Sequence, residues 1–246
     1  MSAFRDHFSI VAGGYAESRP RYGPALFRWA MAKAPGDMVW DCATGSGQAA
    51  LAWANAGGSV IATDASAAQV ANAMPHPRVS YAVGTAEDSG LAAASMDVVC
   101  VAQALHWFDR PVFYREAARV LRPRGLLVLV TYAHCEVSPA VDALVRTLAF
   151  STLAADWPEG RDLVESRYVG ILPRWPAVAT PRFELTADWQ ATQLADYLGT
   201  WSANARHFAR TGVDAAAAIA PLLQAEWGPT RRRVRWPLSV YVFRRP

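Results

Sequence analysis

The stretch Met38-Val39-Trp40-Asp41-Cys42-Ala43-Thr44-Gly45-Ser46-Gly47-Gln48-Ala49-Ala50 decides how this chain folds. Met38–Cys42 reads as a strand, and a helix over 47–55 follows it without a gap. Gly45 and Gly47 permit a tight turn between the two and let a ligand come against bare backbone amides at a helix N-terminus. Working outward, a helix is expected over 24–33, with Pro24 in its first turn and Gly36 beyond its end. After the turn come strand 59–63, helix 66–73, strand 78–83, strand 97–102, helix 111–121 and strand 126–132. Residues 98–101 and 126–130 are continuously apolar, as strands buried on both faces should be. Strands alternating with helices in this way predict an α/β fold with right-handed crossovers and helices on both faces of the sheet.

The second half reads differently. Residues 137–154 are helical in pattern, and 156–181 are rich in Pro and Trp without a clear period. A strand at 183–187, helices at 190–205 and 214–227, and a last strand at 238–244 follow. The expectation is one Rossmann-like domain over 1–246 with a seven-stranded, mostly parallel sheet, an antiparallel last strand and a helical cap. Residues 1–135 would form its ligand-binding core, 136–182 the cap over the carboxyl edge of the sheet, and 183–246 the elements that complete sheet and pocket.

Composition sets bounds on this reading. The 246 residues are 52% hydrophobic and 18% charged, which supports a large core and argues against extensive disorder. No apolar run approaches the roughly 20 residues that a membrane-spanning helix needs. Residues 1–8 carry Arg5, Asp6 and His7 and no apolar stretch, so no secretory signal is read there and a cytoplasmic location is expected. Cys42, Cys100 and Cys135 are too far apart for a bridge or a zinc site to be read from them. Net charge is only +3, and Lys33 is the sole lysine. The single dense basic run, Arg231, Arg232, Arg233 and Arg235, reads as a solvated loop before the last strand; nucleic acid is not expected as a partner.

The glycine turn alone, Gly45-Ser46-Gly47-Gln48-Ala49-Ala50, also fits the dinucleotide fingerprint. Asp64 ends the second strand, where its carboxylate can accept from both hydroxyls of a ribose, whether from NAD or S-adenosyl-L-methionine. Asp41 discriminates better. A carboxylate ahead of the turn is costly to desolvate unless a cation or strong donor meets it. S-adenosylmethionine brings an ammonium to that end, whereas a dinucleotide brings a pyrophosphate that Asp41 would repel. The bland alternative is that Asp41 caps loop amides.

From residue 8 to its end, the sequence resembles class I S-adenosylmethionine-dependent methyltransferases. Asp41 to Gly47 is similar to that family's first motif, with Ala43 where its first glycine usually stands. Asp64-Ala65-Ser66, with Gln69 behind it, resembles the acidic second motif. Gly84-Thr85-Ala86-Glu87 resembles the loop facing adenine, and Arg119-Val120-Leu121-Arg122-Pro123-Arg124-Gly125 the turn into strand five, with Arg124 in place of glycine. Three further segments, 102–109, 15–22 and 200–202, look like the trans-aconitate methyltransferase-like branch. The resemblance implies S-adenosyl-L-methionine as cofactor, S-adenosyl-L-homocysteine as product and a small-molecule substrate, methylated on a carboxylate or hydroxyl oxygen. The cofactor would contact Asp41, Ala43, Thr44, Gly45, Ser46, Gly47, Asp64, Ala65, Gln69, Thr85, Ala86, Glu87 and Gln103.

Displacement at a sulfonium has a good neutral leaving group, so positioning supplies much of the catalysis and no metal is required. His106, after strand four, is the candidate base, with a loop-orienting or substrate-binding role as the alternative. Trp107 and Trp201 are candidate walls of the substrate pocket, or simply core. Tyr15 and Arg19 are expected in a lid, with Arg19 able to grip a carboxylate. A nicotinamide-dependent oxidoreductase is the competing reading, weakened by Asp41 and by the absence of a Tyr-x-x-x-Lys pair. A non-catalytic protein that binds the cofactor is the third.

Overall fold

A computed structural model describes residues 20–246. Tyr15 and Arg19, named above as lid and substrate residues, lie outside the described residues. The elements run α1 (Pro24–Met31), β1 (Met38–Cys42), α2 (Gln48–Asn55), β2 (Ser59–Asp64), α3 (Ala67–Ala71), β3 (Val79–Val83), β4 (Met96–Ala102), α4 (Arg110–Val120) and β5 (Leu121–Thr131). Then come α5 (Pro139–Thr147), α6 (Arg161–Glu165), β6 (Ala177–Val178), β7 (Phe183–Trp189), α7 (Ala191–Gly199), α8 (Ser202–Thr211), α9 (Ala215–Trp227) and β8 (Arg232–Arg244). The sheet order is β3-β2-β1-β4-β5-β8-β6. Strands β1 to β5 are parallel, and β8 runs antiparallel to β5. The α/β class, the mostly parallel sheet and the antiparallel last strand are as the sequence predicts.

Alternation inside the apolar strands sorts side chains to two covered faces. Val39, Val98, Cys100, Leu126, Val128 and Val130 meet α1 and α2 on one face, against Phe27 and Trp53. Trp40, Val99, Val101, Leu127 and Leu129 meet α4 on the other, against Phe113 and Val120. Local signals set the helix starts: Asp109 accepts from the Val112 amide at α4, and Asp214 from the Ala217 amide at α9.

The second half departs from its sequence reading in several places. The strand at Phe183–Trp189 does not enter the main sheet path but pairs antiparallel with residues 232–238 of β8. The short β6, unforeseen in the irregular stretch, takes the position beside β8 instead. The helix expected over 137–154 becomes α5 followed by a π-helical turn, Leu148–Thr152. The helix expected over 190–205 breaks at Thr200 and Trp201, where Trp201 turns extended and buries its ring. The basic run is no loop: Arg232 to Arg235 lie in β8, where Arg233 pairs with Asp188 and Arg235 with Glu184 across β7. A third core cluster joins Val141, Val145 and Leu148 to Leu185, Leu194, Tyr197, Leu223 and Trp236. This cluster packs α5 against β7, α7, α9 and half of β8.

Among the described residues no helix is long and apolar enough to cross a membrane, and the three cysteines are buried and unbridged. Arg124, where glycine was expected, has φ +67. A left-handed arginine costs about 1 kcal/mol against glycine, and its side chain is exposed. Arg124→Gly should therefore raise stability by about 1 kcal/mol in a urea titration; no gain, or a loss, would show that the arginine side chain offsets its backbone cost.

Candidate active site

The carboxyl ends of β1, β2 and β3 are tied by backbone bonds. Thr44 N–H donates to Thr63 O at 2.9 Å, and Gly84 N–H to Asp64 O at 3.0 Å. The turn after β1 is left-handed at Ala43 (φ +55), Gly45 (φ +56) and Gly47 (φ +87). Ala43 is thus the one position in the turn where a side chain is held in a region that favours glycine. Asp64 braces the turn: Oδ2 accepts from the Gly45 amide at 2.8 Å and Oδ1 from the Ser66 amide at 2.9 Å. Around Gly45 a Cβ would meet nothing within 4 Å among the described residues. Gly47 is the opposite case, since a Cβ there would run into the Tyr81 phenol, which donates to Met74 O.

Asp41 is buried at the start of this turn. Its Oδ2 accepts from the Thr44 hydroxyl at 2.5 Å, and the Ala50 amide and the Cys100 thiol also face the carboxyl. Burial pushes the carboxyl up to about 7, against the Thr44 bond, which lowers it. A carboxylate that burial raises this far, at the start of a glycine turn, is the arrangement that a cationic ligand would complete. The residues present therefore fit the ammonium end of S-adenosylmethionine and oppose a pyrophosphate.

The other expected cofactor residues surround the same edge. Ser46 and Ala65 are half-buried, and Gln69 is buried on α3, whose Ser66 cap accepts from the Gln69 amide. After β3, Ala86 is buried, and the Thr85 hydroxyl accepts from the Asp88 amide. Glu87 Oε1 accepts from the Asp109 amide at 2.9 Å, joining this loop to the start of α4. Gln103 has φ +59, and its side-chain amide is committed to the end of β5. Oε1 accepts from Thr131 Oγ1 and Tyr132 N–H, and Nε2 donates to Tyr132 O at 2.7 Å.

Beyond Gln103 a cleft opens between the ends of β4 and β5 and the cap. Its walls include His106 and Trp107 from the turn after β4, Tyr132, and Trp157, Arg161, Tyr197 and Trp201 from the cap. The structure thus brings His106, Trp107 and Trp201 together with Gln103. Trp157 and Trp201 lie 5.3 Å apart, and the Arg161 guanidinium stacks over Trp157 at 4.0 Å. Glu165 forms an ion pair with Arg161 and lies 3.1 Å from His134 Nε2. His106 Nδ1 is 3.0 Å from the Tyr168 hydroxyl. Burial, and after it the charge of Arg161, pulls the His106 imidazole down to about 3. A base that binds protons so weakly is poorly matched to proton removal near neutral pH.

Trp157, Arg161 and Tyr168 escaped the sequence reading. The Trp157 and Arg161 spacing is one helical turn, but the stretch around them offers no period from which to place it.

The methyltransferase domain family matches residues 40–129, from β1 nearly to the end of β5. Over 204 residues, 81% of this chain and 78% of the other, the sequence is 30% identical to a Dictyostelium discoideum protein provisionally named a methyltransferase. This chain belongs to the methyltransferase family. A solved structure from Anaeromyxobacter dehalogenans, provisionally named a type II methyltransferase, is 45% identical to this methyltransferase. That alignment covers 92% of this chain and 97% of the other at a TM-score of 0.85. A Haemonchus contortus phosphoethanolamine N-methyltransferase, solved with phosphomonomethylethanolamine and S-adenosylhomocysteine, shares the fold at 15% identity and a TM-score of 0.51. It covers all of this chain and 61% of its own.

The two turn glycines should respond differently to substitution. Gly45→Ala carries only the backbone cost of a left-handed alanine, about 1 kcal/mol. Gly47→Ala must also displace Tyr81 and its bond to Met74, so its loss in a denaturant titration should be clearly larger; equal losses would mean that Tyr81 moves freely.

Proposed function

We propose that this methyltransferase moves the methyl group of S-adenosyl-L-methionine to a small organic molecule held in the cleft under the cap. The acceptor atom is a carboxylate or hydroxyl oxygen. The observation that carries the reading is Asp41: a carboxylate buried at the start of a glycine turn and pushed up to about 7 by that burial. In this reading Asp41 meets the cofactor's ammonium through the turn formed by Ala43, Thr44, Gly45, Ser46 and Gly47. Asp64 faces the ribose while bracing the turn, and Ala65, Gln69, Thr85, Ala86 and Glu87 line the nucleoside end. S-adenosylmethionine supplies an electrophilic methyl group on a sulfonium.

The chain's residues then hold the acceptor and exclude water. Trp107 and Trp201 form walls of the acceptor site, and His106 touches the acceptor. The aromatic walls of the cleft support a small molecule. The ion pairs of Arg233 with Asp188 and Arg235 with Glu184 support a reading without nucleic acid as partner. The trans-aconitate methyltransferase-like placement rests on segments 102–109 and 200–202, which meet at this cleft, and on 15–22.

Proton linkage at Asp41 supplies the test. Its carboxyl is raised to about 7 in the free protein, so below that pH a proton occupies the oxygen that a cation needs. Affinity for S-adenosylhomocysteine, titrated by calorimetry, should rise about 25-fold from pH 5.5 to 7.5. Asp41→Asn should bind weakly with a flat profile. Binding of NADH in place of S-adenosylhomocysteine would reverse the proposal.

A further inference from the structure

Tyr168 is fully buried, in the segment after α6, and approaches His106 from 62 residues away in the chain. Its backbone is left-handed at φ +62, as is that of Arg167 at φ +54. Two successive non-glycine residues in that region hold it only where the surroundings impose it. Here the Tyr168 amide donates to Leu163 O at 2.7 Å, and the Tyr241 hydroxyl donates to Arg167 O at 2.6 Å. Both bonds keep the phenol beneath the turn Leu105–Trp107, with its oxygen 3.0 Å from His106 Nδ1. Gly160 closes the same turn from the cap: a Cβ there would stand 3.1 Å from the His106 carbonyl oxygen.

The protons in this cluster can be assigned. Leu105, His106 and Thr131 lie around the phenolic oxygen, and burial keeps the phenol protonated. A protonated phenol has a single proton to give. Thr131 has spent its proton on Gln103 Oε1, whose orientation is fixed by the amide and carbonyl of Tyr132. Two acceptors remain for the Tyr168 proton, Thr131 Oγ1 and His106 Nδ1, and the bond of good geometry is the one to Nδ1. Nδ1 must then be bare, and a neutral imidazole with a bare Nδ1 carries its proton on Nε2.

We infer that Tyr168 is a positioning residue that fixes His106 as its Nε2–H tautomer, so that His106 donates a hydrogen bond to the methyl acceptor and takes no proton from it. The inference rests on the methyl-transfer reading of the cleft. With Nδ1 turned to Tyr168, the ring edge left for a ligand carries Nε2–H, which meets an acceptor oxygen beside the reacting one. No proton transfer is then available from this side, so the acceptor arrives already ionised. Its oxygen bonds to the methyl carbon as the carbon–sulfur bond breaks, and the negative charge on oxygen and the positive charge on sulfur cancel. Burial and the nearby Arg161 guanidinium keep the ring neutral through the working range of pH.

Long-range proton–nitrogen NMR on the full chain, with imidazole nitrogens labelled and His106 assigned through His106→Gln, reads the tautomer directly. The expected spectrum shows a protonated Nε2 and a bare Nδ1, unchanged from pH 5 to 9. A proton on Nδ1, or titration of the ring within that range, would overturn the inference. Tyr168→Phe, with folding checked by circular dichroism, should replace the single tautomer with an exchanging pair; an unchanged Nε2–H signal there would remove Tyr168 from the role. Should that variant not fold, the wild-type spectrum still decides the tautomer. Calorimetry with S-adenosylhomocysteine tests the methyl-transfer reading separately, and neither of its outcomes alters the NMR result.

Discussion

Strands β4 and β5 have no polar face. Val98 to Val101 and Leu126 to Val130 are all without exposure, so the sheet can exist only with helices on both sides. That requirement sends the chain over one face with α1 and α2 and over the other with α4, through right-handed crossovers. Every crossover starts from a turn at the carboxyl edge. The loops with freedom to carry chemistry are thereby gathered along one rim, where the backbone groups at the strand ends must find partners outside the ladder.

The rim is where the backbone is most constrained. Ala43, Gln103 and Tyr168 are non-glycine residues in the left-handed region, the first in the turn after β1, the second at the cleft and the third against His106. Each is held by neighbouring backbone or side-chain bonds: Thr44 to Thr63, Gln103 to Tyr132 and Tyr168 to Leu163. Ala94, ahead of β4, and Arg124, at the opposite end of β5, are left-handed too and border neither turn nor cleft, so left-handed geometry points to function only where the neighbours converge on a space.

What could be read from the sequence follows the range of the forces involved. The parallel core was legible because burial on both faces leaves uninterrupted apolar runs, and Asp41, Asp64 and the turn glycines because their partners lie within one βαβ unit. The cap was not. Trp201 ends a helix by turning toward Trp157 and Tyr197, contacts that no local pattern encodes. The arginine run looked like a loop, although Val234 and Trp236 alternate inward while Arg233 and Arg235 alternate outward. The partners that make it a strand, Asp188 and Glu184, sit more than 40 residues away. Tyr168 carried no signal at all, since its value lies in one hydroxyl reaching His106 across the fold.

Gln103 imitates a strand. One residue past the end of β5, Tyr132 offers an N–H and a C=O with no neighbouring backbone to take them, and the Gln103 side chain answers with a carbonyl and an NH2 in the manner of a peptide unit. The ladder is thereby lengthened by one rung made of side-chain atoms. A glutamate at this place would set two acceptors against the Tyr132 carbonyl, and shorter amides would fall short of the rung. The demand for glutamine at position 103 thus originates in the sheet, and the left-handed backbone beneath that side chain is what remains to face a ligand.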